Sequence, residues 1–313
     1  MTEILFIKTS SLGDVVHQMP AVTDAARRHP HARLSWVVEE AFAPLALLHP
    51  AVAEVIPVAT RRWRRQAYRP EIWREVGETR ARLRATSYDR IVDTQGLIRS
   101  AIIARIARGE RHGYDAGSIR EPAASLFYDV THRVSRASHA VGRNRALTAM
   151  ALGHEVGAEI DYGVLRPTHT SSHEVILLHG TSRTSKEWSE ANWQGLGDWL
   201  QRRGFDVLLP WGTEAERARS ERLAAAIPHS RVVDRQPLDH VAQLIAGAAF
   251  VIGVDTGLLH LAAAYQTPLL GIYCATDPAL TGPVGNGRIQ VTGGKRGAPS
   301  LEQVVTAAEQ LLV

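Results

Sequence analysis

The sequence predicts an α/β protein built from two doubly wound halves, and two patterns carry that prediction. Apolar, β-branched runs of four to seven residues alternate with segments of helical periodicity, and the alternation stops at 154–173 before starting again. Near-continuous apolar strands separated by helices imply parallel sheets covered on both faces, because parallel strands need crossover connections. With 313 residues and 45% apolar content, each half has enough material for its own core.

The first half reads ILFI (4–7), a helix near 15–28, LSWVV (34–38), a helix near 40–48, VAEVIPV (52–58) and a helix near 71–86. RIVDTQ (90–95) and LIRSAIIARIA (97–107) follow. The polar stretch HEVGAEIDYGVLRPTHTSSH then breaks the rhythm with Pro167 and a Ser/Thr/His cluster. The expected division is therefore a domain at 1–160, a linker at 161–173 and a second domain at 174–313. That second domain reads VILLHG (175–180), a helix at 189–203, FDVLLPW (205–211), a helix at 214–227, RVVD and a helix at 238–248. It continues with FVIGVD (250–255), a helix at 257–265 and PLLGIYC (268–274). SLEQVVTAAEQLLV (300–313) closes the chain as an amphipathic helix, apolar at Leu301, Val304, Val305, Ala308, Leu311 and Leu312.

Composition narrows the function classes. No run of eighteen apolar residues is free of charge and the N-terminus lacks a cleavage-like site, so a cytoplasmic protein without a membrane span is expected. The single cysteine, Cys274, excludes an intrachain disulfide and any multi-cysteine metal site. Formal charge is +4, but residues 61–69 read RRWRRQAYR, five arginines with no acid, a local anion-seeking patch. Of the 36 basic residues only Lys8, Lys186 and Lys295 are lysines.

Ligands of doubly wound sheets bind at the carboxyl ends of the strands, so the loops there hold the candidate chemistry. VDTGLLHLAA (254–263) ends a strand at Asp255 and starts a helix within Thr256-Gly257, where free N–H groups and the helix dipole suit a phosphate. Asp255 and Thr256 serve equally well as ordinary helix caps. LLHGTSRTSKEW (177–188) offers Thr181, Ser182, Thr184, Ser185 and Lys186, a diphosphate-binding set of hydroxyls and one ammonium. PWGTEAERARSERL (210–223) places Glu216 where it can accept from ribose hydroxyls or merely complement the helix dipole. No GxGxxG follows the first strand, and no GxxxxGK[ST], HExxH or DxD occurs. That removes the main support for dehydrogenase, P-loop and divalent-metal readings and leaves a nucleotide site with no metal or other cofactor.

Taken in order, KTSSLGDVVHQMPA (8–21), WVVEEAF (36–42), IPVATRRWRR (56–65), HGYDAGSIREPAASLFY (112–128), the Lys186 loop, LPWGTEAER and GVDTGLLHL resemble the lipopolysaccharide heptosyltransferase I family through nearly the whole chain. The resemblance implies a GT-B fold, two Rossmann-like domains facing each other across a cleft. It also implies inverting transfer of L-glycero-D-manno-heptose from ADP-heptose to the first Kdo of Kdo2-lipid A. Carried over by position, Thr181, Ser182 and Lys186 hold the diphosphate and Glu216 the ribose, while Asp255, Thr256, Gly257 and His260 meet heptose and phosphates. The chain departs from the family at Ser182, where a threonine is usual, and at Gln236, where a relative packs a methionine on adenine.

Asp14 follows the first strand after a Ser-Ser-Leu-Gly turn and reads locally as a helix cap. The resemblance gives it the role of general base, its carboxylate taking the proton of the attacking acceptor hydroxyl across the cleft. Arg61, Arg62, Arg64 and Arg65 suit the acidic groups of the acceptor, and the resemblance adds Arg120 and His139. The same arginines, with Trp63 and Tyr68, suit an anionic membrane surface, so a peripheral location on the cytoplasmic face of the inner membrane is expected. Nucleic acid is not an expected partner. Two alternatives stay open: heptosyl transfer to another acceptor, either the second core heptose or a protein hydroxyl, and a non-catalytic protein that binds anionic glycolipid or nucleic acid.

Overall fold

Glu3–Ile7 (β1) is buried from Ile4 to Ile7 because parallel neighbours flank it on both edges and helices cover both faces. The computed structural model describes residues 1–168 and 170–312; His169 of the expected linker and Val313 of the expected terminal helix lie outside the described residues. The chain forms two compact units, 1–163 and 164–313, a division that falls inside the 161–173 segment.

In the first unit β1 leads into α1 (Leu12–Arg28), followed by β2 (Arg33–Glu39), α2 (Ala43–Ala46), β3 (Val52–Val58), α3 (Thr60–Arg65) and α4 (Pro70–Ala85). β4 (Ser87–Asp93), α5 (Ile98–Ile106), β5 (Arg108–Tyr114), β6 (Val130–His132) and α6 (Ala140–Leu152) complete it. The strands form one parallel six-stranded sheet in the order β3-β2-β1-β4-β5-β6. The order in which the chain adds strands across the sheet therefore switches sense between β1 and β4, the position at which sheets of this kind open a crevice.

The second unit contains β7 (Glu174–Leu178), α7 (Glu190–Gln201), β8 (Asp206–Leu209), α8 (Glu214–Ala226), β9 (Ser230–Val232) and α9 (Leu238–Gly247). β10 (Phe250–Val254), α10 (Gly257–Ala264), β11 (Leu269–Tyr273), β12 (Ile289–Gly293) and α11 (Leu301–Leu312) follow. Its sheet order, β12-β11-β10-β7-β8-β9, repeats the topology of the first, with the switch between β7 and β10. The core under it is rich in tryptophan: Trp188 and Trp193 meet edge to face with ring centroids 5.1 Å apart, and the Trp188 indole N–H donates to the Pro299 carbonyl at 2.9 Å.

Several segments differ from the periodicity reading, which also gives no counterpart of Ala140–Leu152 or Ile289–Gly293. Residues 40–48 form a 3₁₀ turn, Glu40–Phe42, and the short α2 rather than one helix, since Pro44 cannot donate to a preceding turn and so starts a new one. β5 and β6 escape an apolar pattern search because RGERHGY is polar and lies toward the edge of the sheet. The arginine run is helical over Thr60–Arg65, although six residues are too few for a stable isolated helix. Tertiary partners hold it: Glu39, only 5% exposed, accepts from the Thr60 hydroxyl at 2.8 Å and from the Arg61 N–H at 3.2 Å.

Candidate active site

In the second unit the loops after β7, β10 and β11 converge on Asp255. Lys186, in a 3₁₀ turn over Thr184–Lys186, places Nζ 2.7 Å from Asp255 Oδ2. The Thr276 hydroxyl donates to the same oxygen at 2.6 Å, and the Thr181 hydroxyl donates to the Asp255 carbonyl at 3.0 Å. The Thr181 bond crosses the seam between β7 and β10, where the strand order switches sense. Thr256 occupies the N-cap position of α10, but its side chain makes no capping bond. The Leu259 N–H turns back on the Thr256 carbonyl at 3.2 Å, and the N–H groups of Gly257 and Leu258 keep the unmatched donors of a helix start. His260 is buried on the same first turn.

Glu216 lies at the third position of α8 in a capping box. Its Oε2 accepts from the N–H groups of Gly212 (2.8 Å) and Thr213 (3.0 Å), and its own N–H donates to Thr213 Oγ1 at 3.3 Å. Its other oxygen lies against Gly180, where an added Cβ would come within 2.5 Å of Oε1. Gly180 thus lets the β7 loop pass beside the carboxylate, a role for which the sequence gives only the glycine itself. Ser182 and Gln236 are exposed, and Gln236 stands just before the start of α9.

One residue supporting these loops carries no sequence signal, being one arginine among many. Arg219, three positions after Glu216 on α8, is buried and donates to the carbonyls of Trp188 (2.5 Å) and His179 (3.4 Å) while pairing with Glu187 at 3.1 Å. It ties the loop that bears Lys186 to the helix that bears Glu216. Beneath it His179 bonds the Ser220 hydroxyl at 2.7 Å, and burial pushes the His179 imidazole down to about 4.

In the first unit Asp14 belongs to α1 rather than to the preceding loop. Ser11 is the N-cap, and Asp14 Oδ2 accepts from the Ser11 N–H at 2.7 Å and the Ser11 hydroxyl at 3.0 Å. The carboxylate is therefore held through one oxygen. The turn before it is pinned by Gln95, whose Oε1 accepts from the N–H groups of Thr9 and Ser10, both at 3.0 Å, and by Arg99, which donates to Ser10 Oγ at 2.8 Å. Lys8 is buried behind the turn and donates to the Thr94 carbonyl at 2.9 Å; burial lowers its pKa, while the charges of Asp14 and Asp93 act in the opposite sense. Asp93, fully buried, is raised by desolvation and bonded by the Tyr128 hydroxyl at 2.8 Å.

The basic residues separate into distinct settings. Arg62 differs from the expected free acceptor contact: its guanidinium bridges Glu40 (2.8 Å) and Glu75 (2.7 Å), which raise its pKa. A local charge count misses those acids because they lie 22 and 13 residues away in sequence. Arg61, Arg64, Arg65 and Arg120 are exposed and make no ion pair among the described residues. His139 is the N-cap of α6, its Nδ1 accepting from the Val141 N–H at 3.2 Å, and its ring packs edge-on against His17 of α1 with centroids 5.6 Å apart.

The profile of glycosyltransferase family 9 (heptosyltransferase) matches residues 76–309. The chain belongs to this family. Among curated relatives, the lipopolysaccharide heptosyltransferase 1 of Pseudomonas aeruginosa is 42% identical over 97% of this chain and 87% of its own length. That of Escherichia coli K12 is 42% identical over 91% of this chain and 92% of its own. A solved structure described as E. coli heptosyltransferase WaaC with ADP superposes with a TM-score of 0.91 at 40% identity, covering 99% of both chains. Its form with ADP-2-deoxy-2-fluoro heptose gives 0.88 at 39% identity, again covering 99% of both chains. The two parallel-sheet, Rossmann-like units are thus those of a family 9 enzyme, and the chain is a heptosyltransferase of lipopolysaccharide synthesis. The non-catalytic alternative falls with that assignment. No group of three or more His, Cys, Asp or Glu side chains among the described residues is arranged to hold a metal. No helix among them is long and apolar enough to cross a membrane.

Proposed function

We propose that this heptosyltransferase moves L-glycero-D-manno-heptose from ADP-heptose to the first Kdo of Kdo2-lipid A, with inversion at the anomeric carbon. The observation that carries the reading is the convergence of Lys186, Thr181 and Thr276 on Asp255 beside an uncapped helix start. A departing diphosphate gains negative charge, and a fixed ammonium with free backbone N–H donors stabilises that charge most where it develops. In this reading Thr181, Ser182, Lys186 and Thr256-Gly257 bind the diphosphate, Glu216 takes the ribose through Oε1, Gln236 lies toward the adenine, and Asp255 and His260 orient the heptose. Lys186 supplies the cation, so the chemistry requires no metal.

Attack by the Kdo hydroxyl forms the new C–O bond as the bond from the anomeric carbon to the phosphate oxygen breaks. Asp14 takes the hydroxyl proton, ADP leaves with the bonding pair, and the sugar inverts. Oδ2 of Asp14 stays with Ser11, which fixes the carboxylate while Oδ1 accepts the proton. Arg61, Arg64, Arg65, Arg120 and His139 meet the carboxylates and phosphates of the acceptor, and Arg62 holds α3 in place beneath them. An acceptor of this kind puts the enzyme on the cytoplasmic face of the inner membrane.

The heptosyltransferase 3 of E. coli K12, which covers most of this chain, is only 20% identical, and this favours the first core position over later ones. Purified enzyme given ADP-heptose and Kdo2-lipid A should release ADP and form one new glycosidic bond. Absence of ADP, or faster turnover on an acceptor that already carries heptose, overturns the assignment.

A further inference from the structure

The joint between α3 and α4 exposes Tyr68 (77%) and Trp73 (64%), the aromatic side chains left most open among the described residues. The Trp73 indole N–H is already spent on the Ala67 carbonyl at 2.8 Å. What that ring offers outward is therefore apolar surface with no donor left for water. Arg69 lies over the Tyr68 ring at 5.7 Å, Arg74 follows Trp73 on α4, and Arg61, Arg64 and Arg65 lie on the adjoining α3; all five are exposed and none is in an ion pair among the described residues.

Three of the acids near this cluster are already engaged. Glu39 is bonded to Thr60 and Arg61 N–H at the start of α3, and Glu40 and Glu75 both grip Arg62. Arg62 thus pairs with two carboxylates at once, a triad of net charge −1 that fastens the base of the patch, and Glu71 and Glu78 are the acids of 61–78 in no ion pair among the described residues. Exposed, unpaired arginines on the same helix joint as two exposed, partly apolar rings match a bilayer interface, where aromatic rings enter at headgroup depth and cations meet lipid phosphates.

We propose that residues 64–74 form a bilayer anchor, with Tyr68 and Trp73 entering the interface and Arg69 and Arg74 pairing with anionic phospholipid headgroups. The inference rests on the reading that the acceptor is lipid-borne, and it adds a contact with the surrounding lipid separate from the contacts with the acceptor. The anchor raises the enzyme's concentration at the membrane and leaves the chemical step unchanged.

The test is sedimentation of the full chain with vesicles of phosphatidylethanolamine and phosphatidylglycerol, with no acceptor present, against phosphatidylcholine vesicles. The wild type should bind the anionic vesicles, more weakly as salt rises. Since each arginine near such a surface is worth about a fivefold gain, Arg69→Gln with Arg74→Gln should weaken binding about 25-fold. Tyr68→Ser with Trp73→Ser should abolish the binding that persists at high salt. Brominated lipid should quench a fraction of the tryptophan emission that Trp73→Phe removes. With a soluble, deacylated acceptor all these variants should release ADP at the wild-type rate, whereas on vesicle-borne acceptor they should be slower. Equal vesicle binding by wild type and variants, no binding by the wild type, retention of a single-stranded oligonucleotide in place of vesicles, or an equal loss on the soluble acceptor overturns the anchor. Failure of the function assigned above appears separately, as absence of ADP release by the wild type on the soluble acceptor.

Discussion

Replacing Asp14 separates a helix cap from a general base. Both of its hydrogen bonds go to Ser11, at 2.7 and 3.0 Å, through one oxygen. Asp14→Asn keeps an acceptor at that position and loses mainly the charge, a cost of about 0.5–1 kcal/mol at a helix start. Asp14→Ala removes the acceptor as well and costs about 1 kcal/mol more. At about 2–4 °C per kcal/mol for a unit of this size, the alanine variant should melt a few degrees below the asparagine variant. Loss of a general base costs about 10²–10⁴ in rate, or about 3–5 kcal/mol of barrier, and it does so equally for both replacements. The assay pairs ADP release under saturating substrates with calorimetric melting and ADP affinity. Two variants equally slow, unequally stable and normal in ADP binding fit the base. If the asparagine variant keeps its rate and loss of rate follows loss of stability, Asp14 is a cap alone and the proposed mechanism is wrong.

Three further outcomes follow from the same geometry. Lys186→Ala leaves the Asp255 carboxylate without its partner at 2.7 Å and should weaken ADP binding about 10- to 100-fold by titration calorimetry, the worth of a charge-assisted contact; unchanged affinity would remove Lys186 from the diphosphate site. Gly180→Ala drives a methyl to within 2.5 Å of Glu216 Oε1 and should lower ADP affinity about tenfold with little change in melting, whereas normal affinity would detach Glu216 from the ribose. Burial lowers His49 and His179 to about 4, so each stays neutral in the folded chain while its unfolded counterpart takes a proton below about 6.5. Their contribution is complete above pH 6.5 and is lost as pH falls toward 4, about 3 kcal/mol for each when fully lost. Urea unfolding across that range should flatten in His49→Gln and in His179→Gln, and an unchanged slope in both would refute the assignment.

The sequence by itself determined the two-fold repeat of strand and helix, the segment where the repeat breaks, and the loops at Asp14, Lys186, Glu216 and Asp255. Strand–loop–helix joints announce themselves locally through apolar runs, glycine and capping residues. The tertiary structure decided which loops meet, because strand order is set by pairing between segments far apart in the chain. Only the β7–β10 seam brings Thr181 to the Asp255 carbonyl, and only the packing of α8 puts Arg219 under the Lys186 loop. It also divided RRWRR, which as a string presents four equivalent arginines. Glu40 and Glu75 reach Arg62 alone, since a helix turns its neighbouring side chains in different directions and a charge is neutralised by what lies near it in space.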